Sequence, residues 1–237
     1  MIFQRLVCFI LLLTLSFTTQ AANYAGFTVR EYQPTQEQLT LYLKDENGEP
    51  FKNFERLKTW LAAKNQQLIF AMNAGMYQTN FEPVGLLVLE GKPVGKLNLR
   101  DAQGNFYWKP NGVFFVNKTG AHIVESSAYP TLAQDVQLAT QSGPLLLQND
   151  QIHPKFTPTA ISRLIRNGVG IAGDKVYFVI SDKPVNFYEF ARFFKDELQC
   201  TDALYLDGVV SAIYAEDLKI NSQTTVLGPM LGITAQP

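Results

Sequence analysis

Two cysteines, two histidines and two tryptophans are all that this 237-residue chain contains of those types. With Cys8 and Cys200 so far apart, a zinc centre built on a cysteine pair is excluded, and His122 and His153 are too few for a histidine-rich metal site. Charge is sparse as well: 20 basic against 21 acidic residues give a formal net charge of −1. A chain so close to neutral offers no reason to expect a nucleic-acid partner or an anionic membrane surface. A long apolar run is also missing. The unbroken run from Leu6 to Leu13 is interrupted soon after, at Thr14, Ser16 and Thr18, whereas a membrane-crossing helix needs roughly 20 apolar residues.

That short run has a different meaning. Arg5 precedes it and Thr18-Thr19-Gln20-Ala21-Ala22 follows, the charged, apolar, then cleavable order of a secretory signal. Residues 1–22 are therefore expected to be a signal peptide cut near Ala21 or Ala22. Residues 23–237 are expected to form one exported domain, periplasmic or secreted, with no membrane attachment after cleavage. Cys8 lies at the start of the apolar run, whereas lipidated cysteines follow it. Removing residues 1–21 takes Arg5 and no acid, so 20 − 1 = 19 basic and 21 acidic residues remain, a charge of −2. Cys200 is then alone, no internal disulfide can form, and its thiol is expected to be buried. Stability must come from packing, and 46% hydrophobic residues suffice for a substantial core.

Short apolar segments bounded by Gly, Asn, Asp and Pro run through the rest of the chain and predict strands. They cover Phe27 to Tyr32, Leu39 to Leu43, Leu68 to Met72, Gly85 to Leu89, Val113 to Val116, Leu145 to Leu147, Val169 to Ala172, Val176 to Ile180 and Leu204 to Leu206. Gly173-Asp174-Lys175 predicts a hairpin. Two segments carry helical period instead. One is capped by Asn53, with Phe54, Leu57, Trp60 and Leu61 on one face; the other is opened by Asn186 and Glu189 in a capping-box pattern, with Phe187, Phe190, Phe194 and Leu198 as its face. Many strands and few helices predict an α+β fold, a single domain with mixed or antiparallel β-sheets and a few flanking helices.

Four small polar clusters sit at strand ends, where a rigid scaffold presents loops. They are Met72-Asn73-Ala74-Gly75-Met76-Tyr77, Gln141-Ser142-Gly143-Pro144, the stretch from Arg163 to Gly170, and Asp207-Gly208-Val209-Val210-Ser211. Each taken alone reads as turn chemistry. Arginine beside glycine-rich backbone also suits phosphate oxygens. No phosphate-loop, dinucleotide or nucleophile-elbow motif is present, so no nucleotide cofactor is expected.

In this order the clusters resemble the phosphodiester glycosidase family. Asn73-Ala74-Gly75-Met76-Tyr77 is similar to its Asn-Gly-Gly-aromatic segment, Ser142-Gly143-Pro144 with the leucines at 145–147 to its Ser-Gly-Pro-apolar segment, and Arg166-Asn167-Gly168-Val169-Gly170 to its Arg-Thr-Ala-Ile-Gly segment. Asp207-Gly208 begins its Asp-Gly-Gly-Gly-Ser segment, but Val209 and Val210 stand where glycines are usual before Ser211. Branched side chains there remove the closest backbone approach that glycine allows. The resemblance implies a hydrolase that splits a sugar-1-phosphodiester at the anomeric carbon, with a sugar-phosphodiester or envelope glycan as its partner.

The resemblance also implies roles. Asp207 would orient or deprotonate the attacking water or stabilise the cationic sugar carbon. Arg166, seconded by Arg163, would hold the phosphate, and Asn73 and Ser211 would bind sugar hydroxyls or the water. The backbone at Gly75 and Gly143 offers N–H donors, and Tyr77, Ser142, Asn167 and Gly208 complete the substrate-binding set. Glu82 is the local choice for a second carboxylate, and His153 an alternative acid. Asp207 with Asn73 could instead hold a hard cation such as calcium. Two rival readings are a non-catalytic saccharide-binding module and a phosphodiesterase that cuts the phosphorus–oxygen bond. The sugar and the oligomeric state are left open.

Overall fold

The computed structural model describes residues 21–235. The expected signal segment therefore lies outside the described residues except for Ala21 and Ala22. These open strand β1 (Ala21–Tyr24) and pair with Arg30 and Val29 of β2 (Phe27–Tyr32), so a cut after Ala22 removes two rungs of that ladder.

Three sheets carry the fold, and every described strand pair is antiparallel. The first sheet orders β1, β2, β13 (Lys175–Ser181), β12 (Asn167–Ala172), β14 (Asp202–Asp207), β10 (Leu145–Gln148) and β11 (Gln151–Ile152). The second runs β16 (Ile220–Ser222), β15 (Ile213–Ala215), β4 (Gln67–Asn73), β17 (Met230–Ala235) and β3 (Leu39–Tyr42). The third runs β6 (Lys92–Gly95), β5 (Leu87–Leu89), β9 (Leu138–Ser142), β7 (Gly112–Asn117) and β8 (Gly120–Glu125).

The inner faces of all three sheets meet at Phe178. Its ring lies 5.7 Å from Phe70 of the second sheet and 6.0 Å from Phe114 of the third, and all three side chains are buried. Such aromatic pairs contribute about 0.5–1.5 kcal/mol each beyond the area they bury.

Helix α1 (Phe54–Ala62) covers the outer face of the second sheet. Asn53 caps it by accepting from the Arg56 amide at 2.7 Å, and Phe54, Leu57 and Leu61 are buried against Leu68, Ala71 and Tyr214. Trp60, expected on that face, is only half-buried. Helix α2 (Tyr129–Leu132) is a single turn. Helix α3 (Phe187–Arg192) carries the expected capping box and continues as a π-helical turn over Phe193–Glu197. Phe190 and Phe194 pack with Val179, Ala203 and Tyr205 on the outer face of the first sheet.

The antiparallel sheets and few helices give the α+β fold that composition and periodicity predict. The expected strands are found with small boundary shifts: the segment expected from Gly85 becomes a strand at Leu87. Gly173 takes φ +62° in the β12–β13 hairpin, as its turn requires. Strands β1, β6, β8, β9, β11, β15, β16 and β17 were not expected; they are short, polar or two-sided and lack a clear apolar alternation. Cys200 is buried as expected, and burial raises its thiol to about 12.

Candidate functional site

β4, β9 and β14 end, and β12 begins, at one edge of the core, so Asn73, Ser142, Asp207 and Asn167 converge from distant parts of the chain. In the β12–β14 ladder Asn167 faces Asp207 and Gly168 already faces Tyr205, which leaves Leu206 as an extra residue. This bulge re-aims the last side chain of the strand.

Asn167 is the connector. Its Nδ2 donates to the Asn73 carbonyl at 3.0 Å and to Asn73 Oδ1 at 2.9 Å, and its Oδ1 accepts from the Asp207 amide at 2.9 Å. Asn73 Oδ1 also accepts from the Ala212 amide at 2.8 Å. First and second sheets are thus tied by two fully or nearly buried asparagines.

Asp207 is 8% exposed. Its Oδ1 accepts the amides of Gly208, Val209 and Val210 at 2.6, 2.9 and 3.2 Å, while Oδ2 makes no hydrogen bond to any described residue. Burial raises its carboxyl above the usual range, and the three backbone donors work against that rise. The negative charge is felt by Tyr77, whose phenol is raised first by burial and then by Asp207. Tyr77 donates to the Val226 carbonyl at 2.5 Å and stacks on Phe81 at 5.8 Å, forming a wall on that side of the site.

The two valines that replace glycines leave this turn undisturbed. Neither Val209 nor Val210 has positive φ, Val209 is 79% exposed, and Val210 packs against the core of the second sheet. The conformation needs no glycine at either position.

The remaining expected residues divide by accessibility. Ser211 Oγ is 3.0 Å from both the Ile165 and Asp207 carbonyls, which closes the turn. Ser142 is fully buried, and its Oγ donates to the Leu206 carbonyl at 2.9 Å. The Gly143–Pro144 peptide is cis, and a Cβ at Gly143 would lie 2.5 Å from Asn111 Cβ. Gly75 donates its amide to Thr140 Oγ1 at 3.1 Å. Thr140 was not expected at the site. The signal was a run of three polar residues, Thr140-Gln141-Ser142, at the end of a strand that is buried throughout.

A Cβ at Gly75 would sit 2.5 Å from Thr140 Oγ1 and 2.7 Å from the Gln141 carbonyl. Gly75→Ala is therefore expected to cost about 1–3 kcal/mol, the usual range for overpacking. Urea denaturation measures it, and an unchanged midpoint would mean that the loop yields freely.

Arg166 departs from expectation. Its guanidinium is fully buried, with Nε donating to the Val185 carbonyl at 2.9 Å, Nη2 to the Ser162 carbonyl at 3.1 Å and Nη1 to Tyr205 Oη at 3.3 Å. A phosphate would reach it only by displacing those partners. Arg163 reaches the surface, where its Nη2 alone donates to both carboxylate oxygens of Glu189, at 2.8 and 2.6 Å.

Glu82 is an exposed partner of Lys44 at 2.9 Å. His153 is buried, its Nε2 3.1 Å from the Lys109 carbonyl and its Nδ1 accepting from Lys155, and burial lowers its pKa. Both ring nitrogens are thus engaged, and the neutral form is favoured. Among the described residues no cluster of three His, Cys, Asp or Glu side chains could hold a metal ion. Asn73 Oδ1 and Asp207 Oδ1 already accept two and three hydrogen bonds, leaving a hard cation only Asp207 Oδ2.

Known proteins resemble this chain in sequence and in fold. The sequence profile described as phosphodiester glycosidase (NAGPA) matches residues 66–229. A protein of Escherichia coli (strain K12) named uncharacterized protein YigE is 38% identical over 191 residues, covering 79% of this chain and 74% of its own. Among solved structures, the zebrafish N-acetylglucosamine-1-phosphodiester alpha-N-acetylglucosaminidase catalytic domain, auto-inhibited by its pro-peptide, superposes with TM-score 0.62 at 15% identity, covering 91% of this chain and 81% of that one. A putative exported protein from Burkholderia pseudomallei K96243 superposes with TM-score 0.53 at 11% identity, over 87% of this chain and 73% of that one. At these identities the superpositions bear on the fold alone.

Proposed function

The chain belongs to the phosphodiester glycosidase family, and on that footing we propose that it is an exported hydrolase that cleaves a sugar-1-phosphodiester to free sugar and a phosphomonoester. The observation that carries the reading is Asp207: a nearly buried carboxylate at a strand end, one oxygen fixed by three amides and the other without a partner among the described residues.

In this reaction the C1–O bond to phosphate breaks, its electron pair leaves with the phosphate, and water oxygen bonds to C1. Phosphate is a good leaving group, so the barrier is dominated by positive charge at C1 rather than by leaving-group protonation. One carboxylate suffices for that charge, and Asp207 Oδ2 is free to face C1 or take the water proton. Tyr77, within electrostatic reach of Asp207, and Asn73, tied to it through Asn167, are its sugar contacts, while the buried side chains of Asn167 and Ser142 and the half-buried Ser211 support the turn. Of the two arginines, Arg163 is the one with a surface face for the phosphate. It lies beside Leu164, which a Cβ at Gly208 would approach within 3.3 Å. No resident cofactor is proposed. The export reading rests on Arg5, the apolar run from Leu6 and the small residues at Ala21 and Ala22; it confines the substrate to envelope glycans or imported sugar-phosphodiesters.

Hydrolysis of a panel of sugar-1-phosphodiesters in oxygen-18 water tests the bond that breaks. Label in the sugar is expected. Label in the phosphate would identify a phosphodiesterase instead, and no turnover across the panel would favour a saccharide-binding module.

The pH dependence follows from the same carboxyl. Asp207 must be ionised to serve C1, so kcat/KM is expected to rise with pH through its raised pKa, with the acidic limb above the usual aspartate range. A rate that falls over that limb would make Asp207 a general acid.

A further inference from the structure

Arg166 is a buried cation with no acid beside it. None of the described ion pairs includes it, and its donors go to two carbonyls and a phenol. Its guanidinium carbon lies 3.8 Å from the Phe187 ring centroid and 5.4 Å from that of Tyr205. Burying a guanidinium costs free energy that carbonyls and ring faces only partly offset, and buried arginines are ordinarily paired with carboxylates. What the position gains is a fixed Tyr205.

Tyr205 Oη is the floor of the Asp207 turn. A Cβ on Gly208 would fall 2.1 Å from that oxygen, so the hydroxyl and the glycine Cα are in direct contact. This contact explains why glycine stands at 208, although its φ is not in the left-handed region. Gly208 in turn supplies the shortest of the three amide bonds to Asp207 Oδ1. The neighbouring Asn167 accepts the Asp207 amide itself. Two successive residues, Arg166 just before β12 and Asn167 opening it, therefore hold the same strand end.

We propose that Arg166 is a positioning residue, acting through the Tyr205 hydroxyl on Gly208 to fix the turn that orients the Asp207 carboxylate. It is not a ligand of the substrate phosphate. The inference rests on Asp207 being the working carboxylate. The ionisable groups around it are Tyr77, Tyr205 and, behind Tyr205, Arg166; Leu164 is the apolar side of the turn.

The experiment reads the turn directly, so its result is separable from whether the protein hydrolyses sugar-phosphodiesters. In Tyr205→Phe, hydrogen exchange at the Gly208, Val209 and Val210 amides is expected to speed up by about tenfold, the factor for one lost hydrogen bond. Amides in the middle of β12 should be unchanged. The Asp207 carboxyl, followed by carbon-13 NMR, is expected to titrate at higher pH as its amide donors loosen. Arg166→Lys, which keeps the charge but not the three-way fork, should shift the same amides in the same direction. Gly208→Ala should lower the melting temperature sharply in the natural protein and less in the Tyr205→Phe background, where the oxygen 2.1 Å from the new methyl is gone. Unchanged exchange and titration in both Tyr205→Phe and Arg166→Lys, or strict additivity of Gly208→Ala with Tyr205→Phe, would overturn the proposal. So would a shift of the Arg166 Nε–H resonance on titration with inorganic phosphate, because it would put the guanidinium in the ligand site.

Discussion

Asp207→Asn is expected to lower kcat/KM by about 10³-fold or more, the scale on which a charge-stabilising or proton-accepting group contributes. The melting temperature should move by less than about 4 °C, which for a domain of this size corresponds to about 1 kcal/mol. The two halves have different causes. An asparagine oxygen can still accept the amides of Gly208, Val209 and Val210, so the turn keeps its closure. What it cannot supply is the charge on Oδ2. Asp207→Ala is the control: three donors lose their acceptor, and a loss of about 2–3 kcal/mol is expected.

The stability effect also has a definite pH dependence. The folded Asp207 carboxyl titrates above its unfolded value because burial disfavours the anion. Between those two values the folded chain binds more protons than the unfolded one, so stability falls as pH rises through that window. Asp207→Asn removes this loss, and the variant is expected to be neutral or slightly more stable than the natural protein at neutral pH, an advantage that disappears on acidification. Thermal denaturation across pH measures it. A variant that melts far below the natural protein at neutral pH would show that Asp207 is there for the turn and not for chemistry.

The largest stability change is expected at Asn167. Asn167→Ala removes the donor to the Asn73 carbonyl and Oδ1, and the acceptor of the Asp207 amide, in a site with no exposure to solvent. Buried groups left without partners cost about 1–3 kcal/mol each, and the Ala212 amide still satisfies part of Asn73, so about 2–4 kcal/mol is expected in urea denaturation. Activity should fall with it, since both Asn73 and the backbone of Asp207 lose their alignment. Asn167→Asp separates the two contacts. It keeps an acceptor for the Asp207 amide but turns an oxygen toward the Asn73 oxygens, so it should be at least as damaging near neutrality and recover on acidification. A loss below about 1 kcal/mol for Asn167→Ala would mean that water replaces the amide, and the two sheets are then not tied there.

Asn167 also marks the limit of what local pattern conveys. Its place in an Arg-Asn-Gly run shows that the segment matters, and its family resemblance suggests a ligand contact. That its amide would be spent on Asn73, 94 positions earlier, depends on the end of β4 lying beside the start of β12. Arg166 carries the same lesson more strongly. Arginine near glycines suggests a phosphate clamp because side-chain chemistry is read without direction. The strand reverses that direction and sends the guanidinium under the sheet, against Phe187 and Tyr205. Glu82 and His153 were attractive for their chemistry alone; Lys44 occupies one, and backbone partners and aromatic packing hold the other neutral.

By itself the sequence determined the α+β architecture, both capped helices, most of the long strands, the burial of Cys200 and the membership in a family whose motifs lie in order from Asn73 to Ser211. These follow from local propensity, apolar period and motif order, which are written along the chain. The tertiary structure alone decided which side chains face the site and which hold it up. Three sheets closing on Phe178 bring Asn73, Ser142, Asn167 and Asp207 to one edge, and a bulge before Asp207 sets its aim. The orientation of a strand-end residue depends on register and on long-range partners, neither of which has a local signature.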